Sequence, residues 1–433
     1  MFSKKIPVIN YSDTRGKNFL FEIISSRQSR NREIISRVEN ILENIKNEGD
    51  KALIEYTRKF DLVELSEKQL KISEEEISER ANLVDSDLKK AINEAAKRIE
   101  QYHEKQVSDG FNMETSEGIL GQRIVPLSRI GVYIPGGKTV YPSTVCMDII
   151  PAKIAGVKSI AAVTPPRDNL DPGVAYALKL LNVSEVYRVG GAQAVGALAY
   201  GTQSIKSVEK IVGPGNAYVA AAKRAVYGVV DIDSIAGPSE VAIMADDSVK
   251  AEWVALDLLA QAEHGTGDEV AICVTENREF AEKIASTVVE EINRSPLMKT
   301  FASLPDDAIS VFVTNSREES IGLVNEFAPE HLQIMTREYT EDVEKIVNAS
   351  AIFLGPYTPV ALGDYFIGTN HVLPTGGAAK FSSPLGVDSF VKRISVAEVS
   401  SKGLTNAAPH VSKFARCENF IHHALSVERR VGD

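Results

Sequence analysis

Cysteine is scarce in this chain: three among 433 residues, Cys146, Cys273 and Cys417, with no C-x-x-C pair. That usage excludes a disulfide framework and a thiolate zinc knuckle, and it fits a reducing cytoplasm. Long apolar runs are missing too. No stretch reaches the ~18 apolar residues of a membrane helix, and the opening MFSKKIPVINYSD lacks the apolar core of a secretory signal. A protein neither exported nor membrane-spanning is expected. Positive charge is also in deficit, with 48 Lys and Arg against 59 Asp and Glu and a formal net charge of −11. Phosphate-backbone binding needs clustered Lys and Arg to displace counterions, so nucleic acid is a poor partner. A small cationic substrate suits the balance better.

What is present is ordinary globular composition, 44% hydrophobic and 25% charged, in a chain too long for one core. From Asn31 to Arg58, Ile34, Ile35, Val38, Ile41, Leu42 and Ile45 form a helical stripe. A second such helix is expected from about Ser86 to Lys105, and Ser73 with Glu76 reads as a capping box between them. At Ile130 the texture changes. Short apolar runs at 130–134, 158–163, 185–189, 209–212 and 229–232 alternate with helical stretches, each boundary marked by Gly or Pro. A second series has strand candidates near 240–244, 269–274, 309–314, 332–335 and 350–354, with helices such as 248–263 between them. Such βαβ series imply parallel sheets, so two doubly wound α/β units are expected. After about Phe381 the pattern is irregular and ends in a helix-like tail containing Glu418, His422 and His423.

The segment VEKIVGPGNAYVAAAKRAV reads as strand, Gly-Pro-Gly-Asn turn and helix, which lets backbone N–H groups and a helix N-terminus face an anion. It lacks a full G-x-G-x-x-G, but the turns Y-I-P-G-G at 133–137 and V-G-G-A-Q at 189–193 close neighbouring strands of the same unit. Three turns would then converge on one sheet edge. In ALDLLAQAEHGTGDE, Gln261 and His264 fall three apart on one helix face shortly before Gly265 ends the helix. That spacing can present two metal ligands, with Asp364 of A-L-G-D-Y and His423 of the tail as candidate partners. In A-P-E-H-L, Glu330 and His331 adjoin where a helix gives way to a strand, a pair suited to proton transfer. His371 in T-N-H-V-L-P-T reads as a histidine bonded to backbone, and His103 and His410 offer no constellation. Cys273, inside A-I-C-V, reads as core. Cys146 follows a helix start at Pro142–Ser143, where its pKa could fall and make it a covalent nucleophile.

Taken in order, Y-I-P-G-G, V-G-G-A-Q-A, V-G-P-G-N-A-Y-V, A-G-P-S-E-V, Q-A-E-H-G, A-P-E-H-L, G-T-N-H-V-L-P-T-G-G and F-S-S-P-L-G-V-D-S-F-V-K-R resemble the histidinol dehydrogenase family from about 130 to 395. The helical beginning and the tail fit as well. The resemblance implies two incomplete Rossmann-like doubly wound units, a helical N-terminal segment and a small C-terminal tail domain. Its implied division is 1–30 as N-terminal segment, 31–129 with 239–380 as the larger α/β domain, 130–238 as the second, and 381–433 as a dimerisation tail. It also implies one Zn2+ per subunit held by Gln261, His264, Asp364 and His423, with Glu330 and His331 as proton acceptors. NAD would meet Tyr133, Gln193 and Asn216. L-histidinol would meet Ser239, Gln261, His264, His331, Asp364, Glu418 and His423.

The tail departs from the family pattern at Asn419, Phe420 and His422, and His423 is aligned by its five-residue spacing from Glu418, with His422 as the alternative tail ligand. The resemblance leaves the roles of His371, Lys380 and Arg393 open. The implied reaction is oxidation of L-histidinol through L-histidinal to L-histidine with two NAD, in histidine biosynthesis, by a cytoplasmic homodimer whose tails complete each other's sites. Two rivals are a dehydrogenase for another polar alcohol, such as a sulfonated diol, and a non-catalytic nucleotide-binding regulator. NADH production from L-histidinol separates the three.

Overall fold

The computed structural model describes residues 4–27, 32–136, 140–167, 169–235, 237–264 and 267–431. Gly137, Ala236 and Gly265, each part of a motif above, lie outside them. Two six-stranded sheets carry the chain. In the first, Glu240–Ala245 lies between Val270–Thr275 and His331–Met335, with Ile309–Val313 beyond one and Ala351–Leu354 beyond the other, all parallel. In the second, Arg129–Tyr133 lies between Ser159–Thr164 and Lys210–Val212, flanked by Val186–Arg188 and Asp231–Ile232, again parallel. Each run of five has the spatial order 3-2-1-4-5 of a dinucleotide-binding unit lacking its sixth strand. The two expected α/β units are thus both present, as incomplete Rossmann-like folds.

The strands are apolar throughout because both faces are covered. Ile130 and Val132 point into one apolar cluster while Tyr133, Ala161 and Val163 point into another. The first sheet is sandwiched in the same way. Each fully buried Val, Leu or Ile contributes about 1.5–3 kcal/mol against exposure, so a register slip in a central strand would be costly.

Each sheet gains an edge strand that periodicity did not suggest. Val8–Asn10 joins the first sheet beside Ile309–Val313, with Val8 opposite Val311. Lys71–Ile72 pairs antiparallel with Val186–Arg188 in the second. The N-terminal helices also sort differently from the implied division. Arg32–Glu48 buries Val38, Ile41, Leu42 and Ile45 against the helix Gly191–Tyr200, and Ser86–Glu104 packs on Pro142–Ala155. Residues 32–104 therefore belong with the 130–238 sheet, while residues 8–26 belong with the 239–354 sheet. The close approach at Gly196, where an added Cβ would sit 3.0 Å from Leu42 Cδ2, shows why this stripe seats there. Ser73 does cap its helix, accepting from the Glu76 N–H at 3.1 Å.

The region after Phe381 is more regular than its sequence suggests. Val391–Val399 forms a nine-residue strand antiparallel to Gly118–Pro126, which in turn pairs with Phe111–Glu114. This three-stranded sheet exposes Phe111, Met113, Ile119, Ile394 and Val396. The helices Ser401–Cys417 and Ile421–Glu428 follow, packed on each other, and expose Phe414, Phe420 and Ile421. No described helix is long and apolar enough to cross a membrane.

Candidate active site

Glu330 and His331 stand at the entry of the strand His331–Met335, directly after the helix Arg317–Phe327 ends with Ala328 in the left-handed region at φ 51°. Parallel pairing sets Val241 opposite His331 and so lays both residues against the peptide of Glu240. The Glu240 N–H donates to Glu330 Oε2 at 2.8 Å, and the Glu240 carbonyl accepts from His331 Nδ1–H at 3.1 Å. A carbonyl cannot donate, so the proton resides on Nδ1 and Nε2 carries the free lone pair. That Nε2 is buried without a hydrogen-bond partner among the described residues, 3.9 Å from Asp364 Oδ1. Burial pushes the imidazole down to about 4, with His371 and His264 adding to the effect. Burial also holds the Glu330 carboxyl well above the ordinary carboxylate range, and the nearby Glu240 and Asp364 charges push the same way.

The face opposite is built by two helix ends. Gln261, buried, ends one turn of Ala251–Ala262, and His264 follows it in the exposed C-terminal turn. His264 Nδ1–H donates to the Gln261 carbonyl at 2.9 Å, and the Gln261 amide lies 3.4 Å from the same nitrogen. Asp364 comes from the helix Val360–Tyr365; burial pushes its carboxyl up to about 6, opposed by the neighbouring His264. Gly363 lets this helix approach so closely, since a Cβ there would stand 2.4 Å from Phe353 Cε1. The Phe353 ring in turn lies 6.2 Å from the His331 ring. His371 donates from Nδ1 to the Asp364 carbonyl at 3.2 Å, the backbone bond expected of it, and its Nε2 is 3.3 Å from Thr144 Oγ1. Ser239 directly precedes Glu240, its carbonyl accepting from the Val270 N–H.

The tail residues stand elsewhere. Glu418 and His423 are exposed, the first capping the helix Ser401–Cys417 and the second 5.1 Å from the Phe420 ring. Among the described residues no group of three or more His, Cys, Asp and Glu is placed to hold a metal. His264 and Asp364 are two side chains of these types, and Gln261 adds an amide. Cys146 is no nucleophile: it is buried and burial pushes its thiol up to about 12, as it does for Cys273 in its strand. The helix start expected to lower the pKa of Cys146 is overridden by the apolar core around it.

The three glycine turns do meet at the carboxyl edge of the second sheet. Tyr133, buried, accepts from the Gly191 N–H at 3.0 Å; Gln193 lies one turn on, its amide 3.5 Å from Asp61 Oδ2. Asn216 caps the helix Ala217–Val226 through the N–H groups of Tyr218 and Val219. Gly213 takes φ 108°, and a Cβ there would lie 2.2 Å from the Tyr133 carbonyl oxygen, which only glycine avoids. Its peptide is clamped on both sides by groups the motifs did not single out. Asp233 accepts from the Gly213 N–H at 2.8 Å, and buried Lys223, ion-paired with Asp233, donates to the Gly213 carbonyl at 3.0 Å. The Thr144–His371 contact joins this unit to the segment that follows Asp364.

A model of the histidinol dehydrogenase family matches residues 24–431. The chain belongs to the histidinol dehydrogenase family. The histidinol dehydrogenase of Bacillus thuringiensis subsp. konkukian is 46% identical over 400 residues, 92% of each chain, and that of Aquifex aeolicus is 44% identical over 398 residues, 92% of each. The crystal structure of histidinol dehydrogenase from Elizabethkingia anophelis superposes with a TM-score of 0.92 at 36% identity, covering 100% of this chain and 99% of that one. Family membership makes the chain an oxidoreductase, and of the expected site residues Glu330, His331 and Gln261 are buried, Asp364 is partly buried and His264 is exposed. Arg27 and Glu240, described below, join them without having been marked by any motif chemistry.

Proposed function

We propose that this chain oxidises L-histidinol through L-histidinal to L-histidine, a four-electron reaction using two NAD, as a zinc-dependent homodimer of the cytoplasm serving histidine biosynthesis. The observation that carries the reading is the buried, unpartnered lone pair of His331 Nε2, fixed in its tautomer by Glu240 and aimed toward Asp364, with Glu330 beside it. A base so placed is prepared for a hydroxyl proton.

The donor set suits zinc. Gln261, His264 and Asp364 offer a neutral amide, a neutral imidazole and one carboxylate, and His423 would complete four ligands. Bound there, the metal would supply Lewis acidity and a positive anchor for the substrate's imidazole and amine nitrogens. NAD, held at Tyr133, Gln193 and Asn216, would accept one hydride in each half-reaction. Ser239 and Glu418 would complete the substrate's surroundings.

In the first half-reaction His331 Nε2 takes the hydroxyl proton as the carbon loses hydride, giving the aldehyde. In the second, Glu330 takes a proton from the water that adds to the aldehyde, and the hydrate anion so formed gives up the second hydride to leave the carboxylic acid. No thiol takes part. Chelation should abolish NADH production from L-histidinol and added zinc should restore it; full activity in metal-free protein would contradict the zinc assignment.

A further inference from the structure

We propose that Arg27 is a positioning residue for the Glu330–His331 pair, acting through Glu240; the proposal rests on the functional reading above. Arg27 ends the helix Thr14–Ser26, far from the site in sequence, yet it is buried within it. One guanidinium nitrogen, Nη1, donates to Glu240 Oε2 at 2.7 Å, and the other, Nη2, donates to the Phe327 carbonyl at 2.9 Å. The guanidinium also lies over the Phe327 ring, 4.1 Å from its centroid. The second Glu240 oxygen, Oε1, accepts from the Gly376 N–H at 2.8 Å.

These contacts grip both anchors of the pair. Glu240 is the residue whose peptide N–H holds Glu330 and whose carbonyl holds His331 Nδ1. Phe327 is the last residue of the helix that delivers Glu330. A planar fork with two divergent donors reaches a carboxylate and a carbonyl together, which a lysine ammonium on one flexible stem does not reproduce. Without Arg27 the Glu240 carboxylate would be buried with the Gly376 N–H as its remaining partner among the described residues, and it would draw its strand entry out of place. Small displacements of a reacting base cost rate far more than they cost binding.

The test is steady-state oxidation of L-histidinol by the zinc-loaded full chain. Arg27→Ala should lower kcat about tenfold or more, with KM for NAD unchanged because Tyr133, Gln193 and Asn216 sit on the other sheet. Millimolar guanidinium chloride should restore part of kcat, while urea, of similar shape but uncharged, should not. Unchanged kcat, a loss equal in kcat and in NAD affinity, or a loss that guanidinium does not relieve would each overturn the proposal. Should Arg27→Ala fail to fold, Arg27→Lys should still show a reduced kcat with KM for NAD intact; wild-type kcat in that variant overturns the proposal. Wild-type protein inactive on L-histidinol would instead bring down the functional reading and this inference with it.

Discussion

Glu240 shows how the backbone N–H and carbonyl of one residue hold two side chains. Its carbonyl fixes the proton of His331 on Nδ1, and its N–H engages one Glu330 oxygen. Replacing His331 with Asn should slow the alcohol step by about 10²–10⁴, the usual worth of a positioned base. Glu330→Gln should slow L-histidinal oxidation more than L-histidinol oxidation. Single-turnover measurements with each substrate separate the two, and equal loss in both half-reactions for Glu330→Gln would contradict the assigned division of labour. Asp61, beside Gln193 in the other sheet, carries a pH prediction. Burial pushes its carboxyl up to about 6, against about 3.9 in an unfolded chain. The folded state therefore keeps a proton that the unfolded state releases, and the stabilisation present below about pH 4 is lost as pH rises through about 6. Asp61→Asn should gain Tm relative to wild type between pH 4 and 6 and level off above; a constant difference would show that Asp61 is not buried as described.

At the scale of elements, the Lys223–Asp233 pair pins the Gly213 turn to the strand end that presents Tyr133. The fully buried Asp148 lies close by, and burial, with the Asp233 charge, holds its carboxyl well above the ordinary range. Lys223→Met should cost about 3–5 kcal/mol in chemical denaturation, because Asp233 loses its buried partner. Lys223→Met with Asp233→Asn should recover part of that loss; a double variant as unstable as the sum of the singles would contradict the coupling. The ten strands of the two parallel runs were legible because strands covered on both faces are continuous apolar runs punctuated by Gly and Pro. Val391–Val399 was not, since V-K-R-I-S-V-A-E-V carries polar residues at irregular intervals and its partner, Gly118–Pro126, lies far up the chain. The Glu330–His331 pair could be read as chemistry, but its orientation depends on strand register, which sequence does not display. Arg27 was hidden for the same reason, its partners being 213 and 300 residues away. Cys146 misled because a helix start is a local signal and desolvation is a tertiary one.

For the whole molecule, the proposed homodimer would cover the exposed apolar faces of the three-stranded sheet and the two tail helices. An intertwined two-fold dimer would present each tail to the other subunit, bringing Glu418 and His423 to the partner's site. Mixing inactive His264→Ala chains with inactive His423→Ala chains, then denaturing and renaturing them together, tests this. Crossed tails give each heterodimer one intact site, so about a quarter of wild-type activity should return at random pairing. Tails folded back on their own subunit would leave activity at the level of the single variants. The central claim, that one site carries an amino alcohol through two oxidations, is tested most directly by stoichiometry. With L-histidinol limiting and NAD in excess, two NADH should form for each L-histidine produced, without L-histidinal accumulating. No NADH from L-histidinol, or a single NADH with the aldehyde as end product, would contradict it.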